Sequence, residues 1–384
     1  MLQPGGAAHP GDDLAAWWTD EERETIHGLE ARAGELEGSV PTYPFAMGVR
    51  EGKPEDLPIH IRGNYLTLGE SAPRGWPQVM TSVEAGSSID AERSGRAELA
   101  EWLVDGRHPL TARVIANRLW RWHFGVGLVR TPDNFGLLGS PPTDPDLLDH
   151  LAIELVRGDW SLKRLQRRIV TSRVYAGAAM VDAHNAAVDP ENLMWWHVPR
   201  RRLSAEEMRD SLLMVSGGLD WRMFGQPLRN PNREYVSGTA QDPATYASQQ
   251  RTVYLPVLRS AVYDVLQAFD FPDPAVANGD RTTSTIAPQA LFALNGKPAV
   301  EASDRLASRA SAIDGEAARI EWLVRQVLGR AARPDETIRG AEFLVTYRRQ
   351  LSDEGTVDEA ERERRGLAAL ARVLMATNEF AFVD

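Results

Sequence analysis

Residues 108–152, HPLTARVIANRLWRWHFGVGLVRTPDNFGLLGSPPTDPDLLDHLA, carry more of the reading than any other part of the chain. The spacing predicts a helix over 109–124. Ala112, Ile115, Leu119 and Trp122 fall on one face, the expected core side. Arg113, Asn117 and Trp120 share a second face, and Arg118 and Arg121 a third. A helix with one inner surface would not need Trp120 there, so this element is expected to pack on two sides. Its arginines then require acids or a ligand as partners, with Asp133 and Asn134 in the following loop as candidates. A Gly/Pro/Asp loop leads into a second helix, with Thr143 as the expected cap and Asp146 in its first turn.

The chain has 384 residues, no cysteine and a formal net charge of −11. It is long enough for a full core and two or three domains. The acidic balance, with no basic block against it, argues against a nucleic-acid partner. Without cysteine there are no disulfides, thiolate metal sites, thioether-linked haem or thiol nucleophiles. No segment reaches the roughly 18 apolar residues of a membrane span, and the N-terminus lacks the basic start and apolar core of a secretory signal. Only Lys53, Lys163 and Lys297 are lysines, against 40 arginines. Codon bias accounts for that ratio; guanidinium grips on anions are the functional alternative.

Residues 12–38 read as a helix with a Thr19/Glu22 capping box and a stripe of Ile26, Leu29, Ala33 and Leu36. FAMGV, PIHIRG and YLTLG, cut by Pro and Gly, predict a small β unit, followed by a linker over 80–90. Further helices are expected over 93–104, 161–175, 204–215, 286–294, 298–311, 315–329, 335–350 and 358–377. Residues 217–250 read as a long surface loop and RTVYLPVLR (251–259) as a strand or extended segment. The expected fold is mostly α (α+β): a multi-helix body with a small N-terminal β subdomain and one long surface loop. The expected domains are an N-terminal helix (1–40), a β-rich segment with linker (41–90) and a helical domain (91–384).

The eight histidines form no HxxxH, HExxH or HxH pair, so no metal site and no cofactor is expected. Phosphate loops and nucleophile elbows are absent. A second polar constellation runs over 251–295. Asp270 and Asp273 sit among phenylalanines and prolines, where a turn should hold them rigidly. Ser284 or Thr285 would cap the next helix, leaving Gln289 and Asn295 as polar groups in an apolar element. Asp270 beside Arg259 or Arg281 would be either a buried ion pair or a carboxylate set for acid–base work.

The same stretches, with DWSLKRLQRRIVTSRVY, RRLSAEEMRDSLLMVSGGLD, RTTSTIAPQALFALN and the closing ATNEFAFVD, resemble the domain of unknown function 1553, the planctomycete PSD domain. The resemblance covers about residues 80–384, and HIRGNY is similar to the segment that precedes that domain. MFGQP at 223–227 and Asp335 depart from the family's usual Gly-Gly and Arg-Pro-Thr. The resemblance implies a large exported or periplasmic protein of the cell envelope, with a cytochrome-c-like haem domain upstream. This chain has no CxxCH, so it is expected to be a C-terminal portion, a short member or a gene fragment.

Three functions follow as expectations. The first is an accessory or binding module, a helical scaffold for an envelope partner protein or an anionic glycan. Its ligand-binding candidates are Arg113, Asn117, Arg118, His123, Arg251, Arg259, Arg281, Gln289 and Asn295. The second is a polysaccharide hydrolase or lyase, with Asp270 and Asp273 as the carboxylates and the arginines as anion grips. The third is a docking partner for a haem domain.

Overall fold

The computed structural model describes residues 18–39, 48–80, 89–90, 92–223, 247–259, 262–353 and 358–383. The greater part of the linker over 80–90 and of the surface loop over 217–250, with most of FAMGV and MFGQP and the start of the first helix, lies outside the described residues. The chain divides into two compact units, residues 1–51 and 52–384. Described in the first is α1 (Asp20–Ser39), opened by the Thr19/Glu22 capping box and without a buried residue. Leu29 and Leu36 of its stripe are exposed.

The second unit begins with an antiparallel hairpin, β1 (Pro58–His60) and β2 (Leu68–Ser71), interrupted by a register shift. Helices follow: α2 (Arg96–Val104), α3 (Thr111–Phe124), α4 (Pro145–Arg157), α5 (Leu162–Val170) and α6 (Ala183–Val188). After the short strand β3 (Arg201–Arg202) come α7 (Ala205–Ser216), α8 (Asp264–Ala268), α9 (Ala287–Asn295), α10 (Lys297–Ser311), α11 (Glu316–Leu328), α12 (Pro334–Asp353), α13 (Glu359–Met375) and α14 (Asn378–Ala381). The last strand, β4 (Phe382–Val383), pairs antiparallel with β3 and ties the C-terminal end to the entry of α7. The protein is mostly α, with only two-stranded sheets among the described residues.

Two hydrophobic cores form. The smaller gathers Ala116, Leu119, Trp120 and Phe124 of α3 with Leu148, Leu151 and Leu155 of α4 and Leu165 and Ile169 of α5. The larger joins α7, α8 and α10 to α14, with Leu212, Leu266, Leu306, Leu323, Leu344, Leu367 and Met375 at its centre. Alanines at Ala299, Ala302, Ala307 and Ala310 on α10 and Ala368 and Ala371 on α13 let these two helices approach closely.

Several local expectations shift, each for a physical reason. The buried arc of α3 is centred on Ala116, Leu119, Trp120 and Phe124, and Trp122 faces water. The helix packs on two sides, as Trp120 led one to expect: Trp120 is in the core, and buried Asn117 clamps the chain that follows. Its Nδ2 donates to the Val129 carbonyl at 3.0 Å, and its Oδ1 accepts the Val129 N–H at 2.8 Å. A side chain at Gly127 would collide with that carbonyl and with the Asn117 amide. The cap of α4 is Asp144, not Thr143, accepting the Leu147 N–H at 2.9 Å with Pro145 in the first turn. The Ser204/Glu207 capping box of α7 forms as expected.

Residues 251–259 do not make a strand. Asp210 accepts both the Thr252 N–H, at 2.9 Å, and its hydroxyl, at 2.6 Å, and folds Thr252–Tyr254 into a 3-10 turn. Neither Ser284 nor Thr285 caps α9. Ser284 is drawn to Asp270, and Ile286 occupies the N-cap position.

Asn117→Ala should lower unfolding stability by about 2–4 kcal/mol, since it strands a buried N–H and a buried carbonyl at Val129. Urea denaturation at neutral pH measures this, and a loss below about 1 kcal/mol would show that Asn117 is not the clamp.

Candidate functional site

The two polar stretches meet where the two cores adjoin. Asp133, in the loop after α3, accepts the Gly279 N–H at 2.7 Å and pairs with Arg118 at 3.5 Å. A side chain at position 279 would run into the Asp133 carboxylate, so glycine permits this approach. One residue on, Asp280 receives Arg121 of α3.

Beside this seam lies a cavity of about 480 Å³. Four arginines line it, Arg121, Arg201, Arg202 and Arg281, against two acids, Glu207 and Asp270, with Trp122 completing one wall. A second cavity of about 820 Å³ adjoins it, sharing Leu203, Ser204, Glu207 and Arg281, and adds Glu206, Asp210, Arg251, Phe271 and Trp221.

The acids are engaged. Asp270 adopts the left-handed conformation, φ 59°, which aspartate tolerates better than most residues. Its Oδ2 accepts Arg202 Nη2 at 2.7 Å and the Ser284 N–H at 2.8 Å, and its Oδ1 accepts the Ser284 hydroxyl at 2.7 Å. Buried Gln289 reaches Oδ2 at 3.4 Å. Burial alone would raise the Asp270 pKa, but Ser284 and Arg202 outweigh it and hold the group below the ordinary aspartate value. Glu207 is also depressed, although burial pushes it up, because it takes Arg201 at 2.8 and 3.0 Å and closes the capping box.

The cations keep spare capacity. Arg202 is buried; its Nη groups reach the Ser284 and Phe269 carbonyls and Asp270, but its Nε–H has no partner. Arg281 bonds Glu206 through Nη1 at 2.7 Å and lies over the Phe271 ring. Among the described residues Arg121 is bonded through Nη2 alone. Burial and the nearby Arg281 draw the Arg121 pKa below its usual value, while Asp133 opposes them; a guanidinium there is still charged at neutral pH.

Of the residues expected from sequence to form a site, Arg281 and Asp270 line the smaller cavity, and Arg251 and Arg281 the larger. Gln289 supports Asp270 from behind. Arg118 belongs to the seam. Arg113 is held by Asp149 through two bonds, at 2.5 and 2.9 Å, and lines a separate cavity with His108. Asn117 is a backbone clamp. His123 is half-buried against Tyr175, its pKa lowered by burial and then by Arg201, and it lines neither cavity. Arg259 and Asn295 are exposed and line neither. Asp273 is exposed, and its Oδ1 accepts the Ala275 N–H in a local turn. The expected pairing of Asp270 with Arg259 or Arg281 is replaced by Arg202, because β3 brings that guanidinium alone into the turn after α8.

Sequence reasoning missed Arg201 and Arg202 as site residues and did not separate Trp122 from the core. The Arg-Arg pair immediately before a capping box was the available signal. No group of three His, Asp or Glu among the described residues is placed to hold a metal ion, and no described helix is long and apolar enough to cross a membrane.

The helical architecture and this arginine-lined junction can be set against known families. Residues 95–344 match the model of the family PSD1, protein of unknown function (DUF1553). The chain belongs to that family. No curated protein and no solved structure matches it.

Asp270→Ala should cost about 3–5 kcal/mol, the expected penalty for leaving the Arg202 charge buried and uncompensated. The lowered Asp270 pKa also sets a pH dependence. Its contribution is present above the unfolded value near 4 and is lost as pH falls through the folded value. Urea midpoints of wild type and Asp270→Asn should therefore differ by a constant amount from pH 5 to 8 and converge below about pH 4. A gap that widens on acidification would contradict the assignment.

Proposed function

We propose that the protein is a binding module that captures an anionic group in the arginine-lined cavity at the junction of its two cores. The observation that carries this reading is the asymmetry between acids and cations there. Asp270 and Glu207 are engaged by Ser284, Arg202 and Arg201, whereas Arg121 and Arg281, which line the cavity, each use one guanidinium nitrogen in hydrogen bonds among the described residues and keep further donors. Guanidinium donors that line a cavity without protein partners can be taken up by an anion's oxygens in charge-assisted bonds. A partner protein's acidic group or an anionic glycan would supply such oxygens, and the envelope setting implied by the family resemblance offers both.

The same asymmetry weighs against the hydrolase or lyase reading. A general acid needs a raised pKa and a free proton to give, and Asp270 is held down and fully bonded. Asp273 lies outside both cavities. No observation here favours docking to a haem domain.

Titration calorimetry with inorganic sulfate at low ionic strength tests the proposal. Wild type should bind, and Arg281→Gln and Arg121→Gln should each weaken binding at least tenfold; for the partly exposed Arg281 the substitution should keep urea stability within about 1 kcal/mol of wild type. Equal affinity in all three proteins would sink the reading.

A further inference from the structure

Ten tryptophans lie among the described residues, and eight of them are buried or half-buried. The two that are exposed both stand at the arginine site. Trp122, 56% exposed, lines the smaller cavity, and Trp221, 63% exposed, lines the larger. An indole left in water contributes little to folding. Trp120, two residues away on α3, fills the core, so Trp122 is not needed for packing there. Two solvent-facing indoles flank the guanidinium groups, on walls that share Arg281.

The larger cavity is mostly apolar, but it is punctuated by Glu206, Asp210 and Arg251. A sugar ring fits such a wall from both sides of its chemistry. Its C–H face stacks on an aromatic plane, and its hydroxyl rim meets carboxylates and guanidinium groups. An alkyl chain in the same space would displace water from Arg251 and from the carboxylates of Glu206 and Asp210 without offering them a hydrogen bond, which is unfavourable.

We infer that the ligand is an anionic glycan, an oligosaccharide whose sulfate or carboxylate group sits between Arg121 and Arg281 while its rings stack on Trp122 and Trp221. This rests on the anion-binding reading of the same site and adds the class of molecule that bears the charge. Sulfate and uronate share the chemistry that the arginines recognise, so both are tested.

The experiment is calorimetry on the whole chain with four probes: inorganic sulfate, a sulfated galactan hexasaccharide, a galacturonate hexasaccharide and octyl sulfate. At least one hexasaccharide should bind tenfold or more tighter than inorganic sulfate. Trp122→Ala and Trp221→Ala should each remove at least fivefold of that gain, and Trp221→Phe should restore most of what Trp221→Ala loses. Two results would overturn the inference while sparing the anion site: hexasaccharides no tighter than sulfate, or octyl sulfate tighter than either. Tryptophan variants that keep the full gain would overturn it as well. If neither sulfate nor any hexasaccharide binds, the anion-binding reading itself fails and takes this one with it.

Discussion

The guanidinium of Arg202 is almost entirely removed from water, and a charge in that position must be compensated where it lies. Asp270 does so, and the rest of the junction follows from it. To reach Arg202 the backbone at Asp270 turns left-handed, and the same carboxylate then gathers the amide and hydroxyl of Ser284 and the amide of Gln289. The segment between α8 and α9 is thereby folded around one carboxylate. That segment carries Gly279, Asp280 and Arg281, which bind Asp133, Arg121 and Glu206 and so join the smaller core to the larger.

A network of this kind is worth most when every member is satisfied, because the low dielectric that strengthens its bonds also penalises an orphan. On the acidic side the condition is met. On the basic side it is not, and the imbalance separates a scaffold carboxylate from an available cation. The chain carries a net negative charge, yet guanidinium donors are in local excess at this junction. That excess comes from the way β3, α3 and the loop before α9 converge.

Much of this architecture was legible in the sequence. The helices after residue 90 follow the apolar periodicity closely, because amphipathic spacing reports a nearby core whatever that core contains. The Ser204/Glu207 capping box was readable for the same reason: both partners lie within one turn. Errors came where a distant group competed for a local one. Asp210 captured Thr252 and turned an apparent strand into a 3-10 turn; Asp270 captured Ser284 and left Ile286 at the head of α9. On α3 Ala112, Ile115 and Leu119 face the core as their spacing indicates, and Trp122 alone of that set faces water.

By itself the sequence determined the helical class, the family and the two stretches rich in arginine, aspartate and aromatic residues, all properties of spacing and residue type along the chain. Which arginine meets which acid was decided only in three dimensions. Arg202 lies 68 residues from Asp270 and Arg121 lies 159 from Asp280, and no local pattern encodes contacts of that length. The same holds for the tryptophans: a helical period shows that an indole has a face, but only the packed neighbours decide whether that face meets the core or water.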